Sequence, residues 1–548
     1  MESEQGMISI NGVTFTYPGA TTPALRNLEL EIPQGAFVAL VGNNGSGKTS
    51  LCKMLTGLIP HFFEGEFEGT VEINGHNTLE HRVSELSRQV GYVYQDFENQ
   101  LLKPRVLDDV AFAPLNFGME DYRKRAANTL EQIDMSHLSD RIIWELSGGE
   151  QHLIALAGAL VLEPEVIVVD EPVAQLDPIN ADIIYQQLVR LNKEEGKTII
   201  VIEHHPDFIG AYCDSVILLK DGSVTWHLPV REALSRIEEL ESNDIFSPQV
   251  TRIANGIAVK TGNNHGDYPI NLEESISYFD ARFNGILRKG WKSTATTSST
   301  ELPVIKFDHV NHHYVLMDNS QKTVLEDINL TLHEGERIAL VGANGAGKST
   351  LMRLISGLEK PKEGTLLVLG EDTRKKSPED LADHVALVYQ HPQEMFIEDN
   401  IRDDVAYYLK ARKVQDWQTI VDRAISDFKL EEIQERDGRL LSGGQQRRSS
   451  LAIGATMRPS IMLLDEPTSS LDVANRKQIM AMLEKLEEWV QTVLIATHDM
   501  ELVTEWANRV IILKEGKVLA DDTPENIFGQ PDLIAEARIR PPQVVRLS

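Results

Sequence analysis

The chain repeats itself, and the repeat constrains the fold more than any other feature. Lys48 and Lys348 lie 300 residues apart; Gln95 and Gln390, Ser147 and Ser442, and Asp170 and Asp465 are each 295 apart; His204 and His498 are 294 apart. Kept order with slowly drifting spacing means two copies of one folded unit that differ by short insertions. Pro248, Gln249, Val250 and Arg252 recur as Pro542, Gln543, Val544 and Arg546 at the same offset of 294. The first copy is expected over residues 1–288 and the second over 303–548. The intervening 289–302, with its Ser/Thr-rich stretch Lys292 to Thr300, reads as linker.

Within each copy, β-branched runs such as Val166–Val169, Ile199–Ile202 and Ile461–Leu464 alternate with helical patterns. That alternation predicts an α/β fold with a mainly parallel sheet. The pattern G-x-x-x-x-G-K-[ST] is complete twice. Its first match runs through Gly42, Asn43, Asn44, Gly45, Ser46, Gly47, Lys48 and Thr49, and its second through Gly342, Ala343, Asn344, Gly345, Ala346, Gly347, Lys348 and Ser349. The glycines let consecutive backbone amides face phosphate oxygens, the lysine reaches the terminal phosphates and the hydroxyl binds Mg²⁺. Apolar strands Phe37–Val41 and Ile338–Val341 enter the loops, and helix-forming stretches Ser50–Leu58 and Thr350–Leu358 leave them, which places phosphates at helix N-termini.

Composition narrows the class. A length of 548 residues suggests two to four domains, and 42% hydrophobic residues is ordinary for a globular chain. A net charge of −30 argues against unselective binding to nucleic acid or anionic lipid, and no nucleic-acid partner is expected. No apolar run approaches the roughly 18 residues needed to cross a bilayer, and Met1 to Gly6 is no signal peptide, so a membrane role is expected to be peripheral. Cys52 and Cys213 suggest neither a disulfide framework nor a zinc site, and a reducing cytoplasm suits them.

Downstream of each loop an apolar strand ends in two acids and a proline, Asp170-Glu171-Pro172 and Asp465-Glu466-Pro467. Asp170 and Asp465 are candidates for the Mg²⁺ shell, and Glu171 and Glu466 for polarising an attacking water. An acidic helix cap would explain one such acid, but less readily a pair behind a phosphate loop. Between these motifs, Leu146-Ser147-Gly148-Gly149-Glu150 and Leu441-Ser442-Gly443-Gly444-Gln445 each open a helix, a second phosphate-facing terminus.

Taken together, these motifs resemble the ATP-binding cassette (ABC) superfamily over nearly all of both halves. The resemblance implies two tandem P-loop NTPase domains, each with a helical signature subdomain, that bind ATP with Mg²⁺ and hydrolyse it. It further implies an intramolecular cassette dimer in which each signature closes over the other half's nucleotide. Lys48, Thr49, Gln95, Asp170, Glu171 and His204 would pair with Ser442, Gly444 and Gln445. Lys348, Ser349, Gln390, Asp465, Glu466 and His498 would pair with Ser147, Gly149 and Glu150. Gln95 and Gln390 resemble the metal-sensing glutamine, and His204 and His498 the switch histidine at the γ-phosphate. Ser50 and Thr350 extend the phosphate loops. Tyr17 and Tyr314 fall where the family stacks an aromatic ring on adenine, although ordinary packing explains such tyrosines equally well. His205, His312 and His313 read as surface or packing histidines.

The first half departs from the pattern. Glu150 replaces the usual signature glutamine, Leu153 stands where Arg448 stands, and Val173-Ala174-Gln175 replaces Thr468-Ser469-Ser470 before Leu176-Asp177. Both sites nevertheless keep lysine, metal ligand, base and histidine, so both are expected to hydrolyse ATP. Unchanged total turnover after Glu466→Gln would refute that expectation.

The segments Val93 to Leu102 and Asp109 to Gly118, with Pro248-Gln249-Val250 and Tyr268 to Glu274, resemble energy-coupling-factor (ECF) ATPases; Val388 to Gln393 and Asp404-Val405-Ala406 keep a looser version. That resemblance implies a peripheral subunit on the cytoplasmic face of the cell membrane. Its partners would be a transmembrane scaffold (T-type) subunit and a small substrate-capture (S-type) membrane protein for a vitamin, such as thiamine or its pyrimidine precursor, or for cobalt or nickel. Twin-cassette translation factors of the ribosome are the alternative, disfavoured by the acidic balance, the lack of a long basic helical arm and the two switch histidines. A sugar-importer ATPase is a third, disfavoured by the short tail after Asn526.

Overall fold

The computed structural model describes residues 6–173, 176–262, 266–283, 302–315, 320–469, 471 and 473–547. It divides into two compact units that part at Arg288 and Lys289. Of the expected linker only Leu302 lies among the described residues.

In the first unit a six-stranded sheet runs in the order Ser223–Pro229, Ser215–Lys220, Phe37–Val41, Thr198–Ile202, Val166–Asp170, Val90–Val93. Its strands pair in parallel except at the Ser223–Pro229 edge, which is antiparallel. Alternate side chains enter opposite cores: Ala39, Val41, Ile167 and Val169 face one, and Val38, Leu40, Val166 and Val168 the other. Burial on both faces is why these strands read as unbroken apolar runs. One core is closed by helices Tyr122–Gln132, Gly148–Leu160 and Pro178–Lys193. The other is closed by helix Lys48–Leu55 and a separate antiparallel sheet in the order Leu25–Ile32, Ile8–Thr16, Glu66–Ile73, His76–Asn77. This second sheet is an addition to the sequence reading. Its signal is the half-buried alternation of Ile8, Ile10, Val13 and Phe15.

The second unit repeats the plan. Its mainly parallel sheet runs Val385–Val388, Ile461–Asp465, Thr492–Thr497, Arg337–Val341, Arg509–Lys514, Lys517–Asp522, and its antiparallel sheet runs Gln321–His333, Pro303–Val315, Glu363–Val368, Glu371–Asp372. Helices Ile401–Ala411, Trp417–Asp427 and Gly443–Thr456 form its helical part.

The helices after the glycine loops span Lys48–Leu55 and Lys348–Ile355, starting two residues earlier than the sequence suggests and stopping three earlier. Left-handed Gly57 and Gly357 end the turn that follows each helix, with φ of 73° and 75°. In the first unit, helices Gln249–Thr261 and Leu272–Phe283 pack Ala254, Ala258, Tyr268 and Phe279 into a small core of their own. Among the described residues no helix is long and apolar enough to cross a membrane. Cys52 and Cys213 are both buried and free.

Candidate active site

Each glycine loop leaves the buried end of a central strand and turns directly into a helix. The turn needs glycine at Gly47 and Gly347, whose φ values are 102° and 103°. A Cβ on Gly47 would sit 2.7 Å from the Ala24 carbonyl oxygen, and one on Gly347 2.9 Å from that of Val324. No side chain caps either helix, so the first-turn amides remain available to an anion. Asn44, Gly45, Asn344 and Gly345 form the exposed crest, with Asn43 and Ala343 half-buried beside them. Ser46 lies beneath, its Oγ buried without a hydrogen-bond partner; Ala346 takes that place in the second unit.

Lys48 folds back over its loop, donating to the carbonyls of Gly42 at 2.8 Å and Asn43 at 3.0 Å. Lys348 does the same to Gly342 at 2.6 Å and Ala343 at 3.3 Å. Each ammonium is buried at the mouth of its loop, near enough to the paired acids for its charge to act on them, where it can also meet a phosphate.

The paired acids meet these loops. Thr49 Oγ1 donates to Asp170 Oδ2 at 3.5 Å, and Ser349 Oγ to Asp465 Oδ2 at 2.8 Å. Burial, reinforced by the neighbouring Glu171, raises the Asp170 carboxyl to about 6. Burial likewise raises Asp465, opposed by the Ser349 hydrogen bond. Glu171 and Glu466 sit just past the strand ends in left-handed backbone, with φ of 52° and 48°. A glutamate rarely adopts that conformation, and such strain gathers at functional sites.

Burial works to raise both glutamates, but His204 with Lys48, and His498 with Lys348, outweigh it and hold the carboxyls below their ordinary value. His204 Nε2 lies 3.2 Å from Glu171 Oε1, and Gln95 Nε2 donates to Glu171 Oε2 at 2.7 Å. In the second unit, His498 Nδ1 lies 2.9 Å from Glu466 Oε1, and Thr497 Oγ1 donates to Glu466 Oε2 at 3.3 Å. Among the described residues the Gln390 side chain makes no contact of the kind Gln95 makes.

The signature residues cap their helices. Ser147 Oγ and its backbone N–H both donate to Glu150 Oε2, at 2.8 and 2.7 Å. In the second unit the Ser442 N–H donates to Gln445 Oε1 at 3.2 Å, which leaves the Gln445 amide donors for other partners. A carboxylate at position 150 can only accept. Gly149 and Gly444 pack against Asn180 and Asn475 too closely for a Cβ, whereas Gly148 and Gly443 face open space.

Tyr17 OH lies 3.1 Å from Ser50 Oγ. Tyr314 OH lies 3.2 Å from Thr350 Oγ1 and donates to the Glu359 carboxylate at 2.8 and 2.9 Å. Both tyrosines thus stand at the start of a glycine-loop helix. His312, expected to be a surface or packing histidine, is buried, with its Nε2 2.9 Å from Glu359 Oε2. Leu176 and Asp177 are buried, and Asp177 caps helix Pro178–Lys193, while Ala174, Gln175 and Ser470 fall outside the described residues.

Three further groups serve these sites without a motif to announce them. Glu203 is buried at the end of strand Thr198–Ile202, accepts the N–H groups of His204 and His205 at 2.7 and 2.8 Å, and receives Tyr185 OH at 2.6 Å. Asp499 is the counterpart of His205 and binds Arg476 at 3.1 Å and Thr468 at 3.0 Å. Tyr92 OH donates to Asp170 Oδ2 at 3.0 Å, where the second unit has Leu387. Only an acid directly after an apolar strand hinted at Glu203; nothing local hinted at Tyr92.

The donor set fits a magnesium nucleotide. Mg²⁺ takes one or two protein oxygens and completes its octahedron with phosphate and water. Thr49 with Asp170, and Ser349 with Asp465, offer such a pair beside an amide cradle and a buried lysine. Fold and site together define a tandem P-loop phosphohydrolase.

Comparison with known proteins narrows the class. The family profile described as ABC transporter matches residues 25–174 and 325–469, together more than half of the chain. The chain belongs to the ABC transporter family. It is an ATPase whose cassettes bind and hydrolyse ATP, with Mg²⁺ as the general metal of such enzymes. A protein of Methanosarcina mazei, provisionally described as an ABC transporter ATP-binding protein, is 30% identical over 557 residues, covering 99% of this chain and 93% of its own. One of Caldanaerobacter subterraneus with the same provisional description is 29% identical over 554 residues, covering 99% and 95%. Among solved structures, cbiO1 of Clostridium perfringens, described as part of the ABC transporter complex cbiONQ, is 30% identical; the match covers 46% of this chain and 99% of that one, with a TM-score of 0.40.

Proposed function

We propose that the protein is the twin-cassette motor of an ECF-type importer, bound to a transmembrane scaffold subunit that carries a small substrate-capture protein for a vitamin or a transition-metal ion. The observation that carries the reading is the tail that resembles ECF ATPases. Pro248 caps helix Gln249–Thr261, Thr251 Oγ1 donates to the Pro269 carbonyl at 2.6 Å, and Glu274 accepts the Ile270 N–H at 3.2 Å and pairs with Arg231. The two tail segments that carry part of the resemblance, around Val250 and around Ile270, are therefore tied to each other in the first unit. Thiamine or its pyrimidine precursor is the substrate we favour.

In this reading Lys48, Lys348 and the loop amides hold the phosphates, and Asp170 and Asp465 with Thr49 and Ser349 hold Mg²⁺. The metal would neutralise charge on the transferred phosphoryl group. Glu171 and Glu466, kept ionised by their histidines, accept a hydrogen bond from the attacking water. Gln95 is the partner Glu171 exchanges for that water, being the more exposed of its two contacts. His204 and His498 then reach the γ-phosphate. Each signature engages the nucleotide of the other cassette, and closure is the output that reaches the membrane partners through the surface around Gln95 and Gln390.

The test is to extract membranes of the native cell in mild detergent, purify the tagged protein and identify its companions by mass spectrometry. Two small polytopic membrane proteins are expected. Recovery with ribosomal proteins and no membrane protein would overturn the reading.

A further inference from the structure

Among the buried positions at which the two signature helices differ, one touches the glutamine loop. In the second unit it is Arg447, on helix Gly443–Thr456 and only 4% exposed. Its Nη1 donates to the Tyr389 carbonyl at 3.0 Å and its Nη2 to the Gln390 carbonyl at 2.8 Å. Asp465 and Glu466 lie near enough for their charges to act on the guanidinium. The group has donors only and stays charged, so in a dry interior it must keep these partners.

In the first unit the same position is His152, 1% exposed. Its ring packs on Phe97 with centroids 4.6 Å apart, and neither ring nitrogen has a hydrogen-bond partner. There the loop is held by its own Gln100, which donates to the Tyr92 carbonyl at 3.1 Å and accepts the Tyr94 N–H at 3.2 Å.

We infer that Arg447 is a positioning residue for hydrolysis in the second cassette, clamping the Gln390 backbone to the signature helix so that the two move as one body, and that the first cassette lacks this clamp. A planar fork on two consecutive carbonyls fixes both distance and orientation. The Phe97–His152 contact is apolar and has no directional bond to resist sliding. Signature-helix motion therefore reaches Gln390 more directly than it reaches Gln95, and the two ATP sites are unequal. The inference rests on the reading of Gln390 and Glu466 as residues of the second site.

The test compares Arg447→Met, Arg447→Lys and Glu466→Gln in the full chain by steady-state ATPase kinetics, with melting curves to verify folding. Arg447→Met should lose roughly as much turnover as Glu466→Gln, with KM for ATP within about twofold of wild type, because the clamp acts on the transition-state arrangement. Arg447→Lys, which restores a charged donor to one carbonyl, should recover part of the loss; a space-filling role would not be served better by lysine than by methionine. If Arg447→Met does not fold, Arg447→Gln, too short to reach either carbonyl, is held to the same criteria. Wild-type turnover in the folded variant, or a loss confined to KM, overturns the clamp. Unchanged turnover in Glu466→Gln removes the second-site reading, and the clamp with it.

Discussion

His152 makes the acid stability of the first cassette predictable. Burial pushes its imidazole down from an ordinary 6.5 to about 4, with no hydrogen bond to compensate. Between those values the unfolded chain binds a proton that the folded chain refuses, so stability rises with pH through that window. Well above pH 6.5 both states are neutral and the penalty fades to nothing; below about 4 it is complete, on the order of 3 kcal/mol. Linkage gives a penalty of about 1.4 kcal/mol at pH 5.5 and about 0.2 kcal/mol at pH 7, a difference of about 1 kcal/mol. For a unit of this size that corresponds to roughly 2 °C in Tm. The perturbation is His152→Met, which fills similar space beside Phe97 and does not titrate. Scanning calorimetry of wild type and variant at both pH values should show the wild-type transition of the first unit falling by about 2 °C more than the variant's. Parallel shifts would mean that the folded state accommodates the protonated ring, and the argument from burial would be wrong.

Three other outcomes follow from the same geometry. Tyr92→Phe removes the hydrogen bond to Asp170 Oδ2, leaving Thr49 at 3.5 Å; a bond to a charged group is worth ~1.5–3 kcal/mol, so the Mg²⁺ concentration for half-maximal nucleotide binding should rise about tenfold or more. The same titration after Leu387→Phe should barely move, since no hydroxyl is lost there. Gly347→Ala forces φ of 103° on a residue with a Cβ and pushes it to 2.9 Å from the Val324 carbonyl; a loss of about 1–3 kcal/mol in the second unit is expected by calorimetry, together with weaker ATP binding. Glu171→Gln and Glu466→Gln should each lower ATP turnover while leaving ATP binding in place, since each removes an ionised base but no phosphate contact; full activity in either variant would show that site to be silent.

The amino-acid sequence alone determined the duplication, the α/β class, both glycine loops, the paired acids and the two histidines. Each of these is local: a phosphate loop is made by consecutive backbone amides, and its glycine and lysine spacing is set by short-range geometry. A strand buried on both faces likewise announces itself as an unbroken apolar run. Only tertiary structure decided what depends on residues far apart in the chain. Tyr92 meets Asp170 because neighbouring parallel strands Val90–Val93 and Val166–Asp170 bring position 92 beside the second strand's end. Glu203 gains its meaning from the His204 and His205 amides and from Tyr185, which a helix brings to it. Arg447 and His152 hold the same place in the repeat, and as letters they read as one more basic residue after a signature. Burial separates them, because a guanidinium can carry its charge into the interior only when carbonyls and carboxylates meet it there, whereas an imidazole can surrender the proton and enter neutral.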